Sequence, residues 1–254
     1  MAERAGRVLD GQVAVVTGAS SGLGRATALA MAQAGAHLAL LARSAPDLAE
    51  AVAEVEAAGG RGLALPVDLA REEEVMLAIE RTRATFGRID VLVNAAGTDV
   101  PGSVATLVTG DWDRVLDVNL RAPFLLAKAV FPAMQAADRG TIINISSVAG
   151  KRGWANAAAY CASKFGLTGF TQALAAEGKP HGIRACIVYP GGMATSWGTW
   201  APEDRRREGR ERPPVTKALP PDEVAALLVW IAAAPSELVL NEAIVSPLEE
   251  GGWP

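Results

Sequence analysis

The apolar run Val13-Ala14-Val15-Val16 leads through Thr17 straight into Gly18-Ala19-Ser20-Ser21-Gly22-Leu23-Gly24, and an Ala-rich helical stretch from Arg25 to Gln33 follows at once. This is a strand, a glycine turn and a helix. Glycines let the backbone turn tightly and approach a pyrophosphate, while the free N–H groups and the dipole of the helix start favour its negative charge. The spacing, TGxxxGxG, differs from the commoner GxGxxG, and a plain tight turn is the competing reading.

Beyond this unit, strand-like apolar runs alternate with helical stretches, the pattern of a parallel sheet with helices on both faces. Strands are expected near 13–17, 37–42, 62–67, 91–95, 141–146, 184–189 and 243–245, with helices starting near Leu23, Pro46, Arg71, Asp111, Tyr160 and Pro221. The fold class is therefore α/β, a Rossmann-type doubly wound sheet of about seven parallel strands. In such sheets ligands lie beyond the carboxyl ends of the strands. The chain's 254 residues, half of them hydrophobic, can bury one substantial core, so residues 1–254 are expected to form a single domain without repeats or disorder bias.

Charge and composition narrow the function classes. A formal net charge of −4 speaks against a nucleic-acid partner, which would favour a basic excess. Residues 1–7 lack the apolar core of a signal peptide and no uncharged apolar run approaches a membrane span, so a soluble, cytoplasmic protein without membrane contact is expected. Cys161 and Cys186 make neither a metal-ligand spacing nor a disulfide framework. Cys161 reads as a small packing residue.

Chemistry concentrates in Tyr160-Cys161-Ala162-Ser163-Lys164, with Ser147 upstream. Residues four apart share a helix face, so the Lys164 ammonium can sit beside the Tyr160 phenol. A phenol titrates near pH ~10 when unperturbed, and a neighbouring cation favours its ionised form. Ser147, arriving from a strand end, can hydrogen-bond the oxygen that gains or loses a proton. The chain has two Tyr and five Lys, which makes a chance pairing at this spacing improbable; the other tyrosine, Tyr189, has Met193 four residues on.

Taken with Asn94-Ala95-Ala96-Gly97, Asn119, and Pro190-Gly191 followed by Thr195, these motifs resemble the single-domain short-chain dehydrogenase/reductases, in the family's order from about Val13 to Thr195. The resemblance implies an NAD(P)-dependent oxidoreductase interconverting a ketone and a secondary alcohol. Tyr160 would be the acid/base and Ser147 would hold the substrate oxygen. Lys164 would bind the nicotinamide ribose and lower the Tyr160 pKa, and Asn119 would hold a water linking Lys164 to solvent. The implied cofactor contacts are Gly18, Ser20, Ser21, Gly22, Leu23, Gly24, Arg43, Ser44, Asp68, Leu69, Asn94, Ala95, Gly97, Tyr160, Lys164, Pro190, Gly191, Met193 and Thr195. Within that set Asp68 would meet the adenine amino group, Asn94 would stabilise the central sheet and Thr195 would bind the carboxamide. Asp68 as a plain helix cap is the alternative.

Cofactor choice is argued from the second strand, which ends Leu40-Leu41-Ala42-Arg43-Ser44 where an NAD site would present an acid to the ribose 2′-OH. A guanidinium can bind a 2′-phosphate through several charge-assisted bonds. NADP(H) is the preferred cofactor and NAD(H) the alternative, because the glycine turn holds Ser21 where some NADP-dependent relatives carry a basic residue.

The segment 192–220 matches the family's variable substrate loop. Five arginines there, among them Arg205 and Arg212, stand against four acids, so a mixed-charge solvated loop is expected rather than an anion site. Trp154, Met193, Trp197 and Trp200 are the candidates to face an apolar substrate. A 3-oxoacyl thioester reductase is an alternative activity, although Asp138-Arg139 and His181 offer a carrier protein little basic surface. The segment from Trp112 to Met134 is apolar around its circumference, and the resemblance implies a homodimer or homotetramer joined through it and the Tyr160 helix, with a helix buried within one subunit as the competing reading. A non-catalytic nucleotide-binding regulator and a nucleotide-sugar epimerase remain as other classes.

Overall fold

The computed structural model describes residues 7–195 and 218–248. Strands Val13–Thr17 (β1), His37–Ala42 (β2), Gly62–Pro66 (β3), Val91–Asn94 (β4), Gly140–Ile145 (β5), Ile183–Pro190 (β6) and Glu242–Val245 (β7) form one sheet in the order β3-β2-β1-β4-β5-β6-β7. Every pairing is parallel. The chain runs outward from β1 to β3 and then restarts beside β1 with β4, so the carboxyl ends of β1 and β4 flank the topological switch point, where such sheets bind ligands. This is the Rossmann-type α/β fold expected.

The sheet is covered on both faces, which is why its strands are apolar without alternation. Ala14, Val16, Leu38, Leu40, Val91, Val93, Ile143 and Val188 pack into one cluster with helices Gly22–Gln33 (α1), Ala45–Ala57 (α2) and Pro221–Ala233 (α7). Their strand neighbours Val15, Ala39, Leu41, Leu92, Ile142 and Ala185 point the other way, towards Glu72–Phe86 (α3), Ala122–Ala136 (α5) and Ala158–Gly178 (α6).

The apolar segment 112–134 is not one helix. Thr109–Leu116 (α4) gives way to a π-helical turn, Asp117–Arg121, before α5 begins. The extra residue of a π turn rotates the apolar stripe. Val115 on one side of it and Leu125, Leu126, Val130 and Met134 on the other are all buried within the subunit. Most of the apolar circumference is thus used internally, and Phe124 is the large apolar side chain of this segment left about half exposed, at 47%. Among the described residues no helix is long and apolar enough to cross a membrane.

Candidate active site

Gly18, the first residue beyond β1, has φ +67°, and a Cβ there would come within 3.0 Å of the Ala96 backbone. At Gly24 a Cβ would run into the Gly18 carbonyl, so only glycine lets α1 start this close to the strand it follows. Thr17 locks the neighbouring loop in place: its Oγ1 accepts from the backbone N–H groups of Ala95 and Ala96, both at 3.0 Å. Ser21 caps α1 without a side-chain hydrogen bond, and the first turn carries no acid. The helix N-terminus therefore presents N–H donors and uncompensated positive potential to the cleft.

The next two strand ends extend this cleft. Ala42 and the exposed Arg43 line it at the end of β2, and Val67, Asp68, Leu69 and Ala70 line it after β3. Asp68 Oδ1 accepts from the Ala70 N–H at 3.1 Å while the Asp68 N–H donates to Glu74 Oε2 at 2.8 Å. The aspartate thus both shapes the entry to α3 and faces the cleft. Ser44 does not line it: its hydroxyl accepts from the Asp47 N–H at 3.4 Å, capping α2.

At the middle of the sheet two asparagines act as cross-links rather than as walls. Asn94 donates to Asn144 Oδ1 at 2.8 Å, and Asn144 donates in turn to Thr171 of α6, also at 2.8 Å. Asn119 sits in the π turn, accepts from the Thr98 N–H, and donates to the Thr98 carbonyl (each 2.8 Å) and to Ser163 Oγ at 3.1 Å. Both amide hydrogens and one lone pair of the oxygen thereby pin the loop after β4 to α6.

The reactive groups meet where β5 ends. Ser147 follows the strand and caps a short 3-10 turn, Val148–Gly150; its Oγ accepts from the Ala149 N–H at 3.1 Å and so keeps its own hydrogen to donate. Tyr160 and Lys164 enter one turn apart on α6. Lys164 Nζ donates to the Ile145 carbonyl at 2.8 Å and lies 5.7 Å from the centroid of the Tyr160 ring. It is only 4% exposed, and burial pulls its pKa down to about 8. At neutral pH it is still mostly an ammonium.

Pro190, Gly191, Met193 and Thr195 close the far wall after β6, and the Gly191 N–H donates to the Val245 carbonyl at 2.7 Å. The result is one open cleft of about 570 Å³ running along the carboxyl edge of the sheet. All the site residues expected from sequence line it except Ser44, Asn94 and Asn119. Sequence reasoning missed Thr17, whose hydroxyl joins two loops, and Thr98, Asp113, Arg114 and Asp117, which also line the cleft. Thr17 stood in plain view at the end of the first strand; the others carry no local signal. Trp154 is 46% exposed and is not among the lining residues. Trp197 and Trp200, like the arginine-rich segment, lie outside the described residues. Cys161 packs with Ala149, Ala157 and Tyr160, as a small core residue.

Residues 12–206 match the family model described as short chain dehydrogenase, and the chain belongs to that family of oxidoreductases. It is 38% identical over 235 residues to a 3-oxoacyl-[acyl-carrier-protein] reductase of Synechocystis sp., covering 90% of this chain and 92% of the relative. A D-threitol dehydrogenase of Mycolicibacterium smegmatis is 36% identical, with 96% and 94% covered. Among solved structures, a metagenomic short-chain oxidoreductase in complex with NADP superposes with a TM-score of 0.82 at 37% identity, covering 96% of this chain and 100% of that one. Carveol dehydrogenase from Mycobacterium avium in complex with NAD gives 0.86 at 25% identity, covering 95% and 98%.

Proposed function

We propose that the protein is an NADPH-dependent carbonyl reductase that interconverts a ketone and a secondary alcohol. The observation that carries this reading is the convergence of Ser147, Tyr160 and Lys164 on one cleft with the N-terminus of α1, whose N–H groups no capping side chain takes up. The cleft fits a dinucleotide: a glycine cradle that a Cβ at position 24 would obstruct, helix N–H donors for a pyrophosphate, and Arg43 and Lys164 as the cationic groups of its two ends. When bound, the nicotinamide supplies and recovers the hydride.

Tyr160 gives its phenolic proton to the substrate oxygen in reduction and takes it back in oxidation. Ser147 donates its free hydroxyl hydrogen to the same oxygen. Lys164 spends one hydrogen on the Ile145 carbonyl and keeps two for the ribose hydroxyls, and its charge favours the phenolate. Because both amide hydrogens of Asn119 are engaged, any part its side chain has in holding a water is as an acceptor. Arg43 holds a 2′-phosphate, which is the basis for preferring NADP(H) over NAD(H).

We extend the proposal to a single domain acting as a cytoplasmic homodimer or homotetramer. Two free, buried cysteines support the reducing compartment. Phe124 of α5 and Phe165 of α6, each 47% exposed, support pairing through those helices. A second reading, reduction of a 3-oxoacyl thioester, is favoured by the acyl-carrier-protein reductase among the relatives. The test is consumption of NADPH and of NADH across ketones, oxo acids, quinones and 3-oxoacyl thioesters. Preferred turnover of a free ketone with NADPH supports the first reading, and selective turnover of the thioester supports the second. Tight NADPH binding without turnover of any of them would favour a binding protein instead.

A further inference from the structure

Ser147 is the first residue of a turn whose last residue is Lys151. The turn is closed by the Gly150 N–H on the Ser147 carbonyl at 2.8 Å and the Lys151 N–H on the Val148 carbonyl at 3.0 Å. It is pressed between Ser146 and α6, since a Cβ at Gly150 would lie 2.5 Å from Ser146 Oγ and 2.9 Å from the Lys164 carbonyl. The outer end of the turn is held by charge. Lys151 Nζ forms a close ion pair with Glu242 at the start of β7 and lies 4.4 Å from the centroid of the buried Tyr189 ring. Glu242 is steadied by Gln172 of α6, whose Nε2 donates to its Oε1 at 3.1 Å. From beneath, the Tyr189 hydroxyl donates to Thr168 Oγ1 at 3.3 Å, and the single Thr168 hydrogen serves the Lys164 carbonyl at 3.1 Å in preference to that of Gly150 at 3.5 Å.

Neither Lys151 nor Glu242 lines the cleft. We propose that Lys151 and Glu242 are positioning residues, which fix the Ser147 hydroxyl against Tyr160 by tying its turn to the sheet edge; this rests on the catalytic reading above. The pair is about 30% exposed on each side, at 27% and 33%, so it adds little to global stability. Its effect falls on geometry, to which turnover is far more sensitive.

The experiment uses the full chain, NADPH and the carbonyl that turns over best. Lys151→Met and Glu242→Gln should each lower kcat about tenfold, with the KM for NADPH changed less than about twofold. Lys151→Arg, which keeps the cation, should restore most of the rate. In a Ser147→Ala background, Lys151→Met should cost less than about twofold, because the hydroxyl it positions is gone. An unchanged kcat in Glu242→Gln, or an undiminished loss in the Ser147→Ala background, overturns the proposal. Tyr160→Phe is run beside them: full activity there would sink the catalytic reading itself, a separate failure.

Discussion

Replacing Lys164 by Met should make the protein more stable while destroying its turnover. The pKa of Lys164 falls from 10.5 to about 8 through burial, which at about 1.4 kcal/mol per unit places roughly 3 kcal/mol against the folded state at neutral pH. The sign follows from linkage. A lysine whose folded pKa lies below its unfolded value opposes folding fully below pH 8, and the opposition fades as pH rises towards 10.5. Methionine removes that term and forfeits the hydrogen bond to the Ile145 carbonyl, a loss of about 1 kcal/mol. The net gain of about 2 kcal/mol corresponds to roughly 4–8 °C in melting temperature for a chain of this size. Near pH ~9.5 the penalty in the wild type has shrunk by more than half, close to the worth of the lost hydrogen bond, so the two proteins should melt almost together. The assay is thermal unfolding of both, without cofactor, at the two pH values. A variant that melts below the wild type at neutral pH, or a margin that does not narrow at alkaline pH, would refute the reasoning.

Two further outcomes follow from the same geometry. Arg43→Asp should lower kcat/KM with NADPH by about 10²-fold and leave NADH equal or improved, since a charge-assisted phosphate contact becomes a repulsion; steady-state kinetics with both cofactors decide it. Thr17→Val leaves the Ala95 and Ala96 N–H groups without their acceptor, and should cost about 2 kcal/mol, read as a fall in melting temperature of roughly 4–8 °C.

What was legible in the sequence was local. The glycine turn and the Tyr160/Lys164 pair declare themselves within a few residues, and both ended at the edge of one cleft. The contacts that hold the site together span long separations: Thr17 reaches Ala95 across 78 positions, Asn119 reaches Ser163 across 44, and Lys151 reaches Glu242 across 91. No periodicity announces them, because each depends on which strands become neighbours. Arg184 is another such case, donating to the carbonyls of Ala232, Ala234, Pro235 and Leu238 and so satisfying the end of α7. Ser44 stands beside Arg43 in the sequence, but it does not line the cleft and its oxygen accepts from the Asp47 N–H as the cap of α2. The single helix expected across 112–134 is interrupted for a physical reason: a π turn, Asp117–Arg121, rotates the stripe, and most of the apolar side chains after it pack into the subunit's own core.

The central claim, proton transfer by Tyr160 in a nicotinamide-binding cleft, is tested most directly by removing one oxygen atom. Tyr160→Phe should bind NADPH within a few-fold of the wild type, by fluorescence titration, while its single-turnover rate of carbonyl reduction falls by about 10³-fold. A variant that binds NADPH and reduces the carbonyl at the wild-type rate would contradict the account.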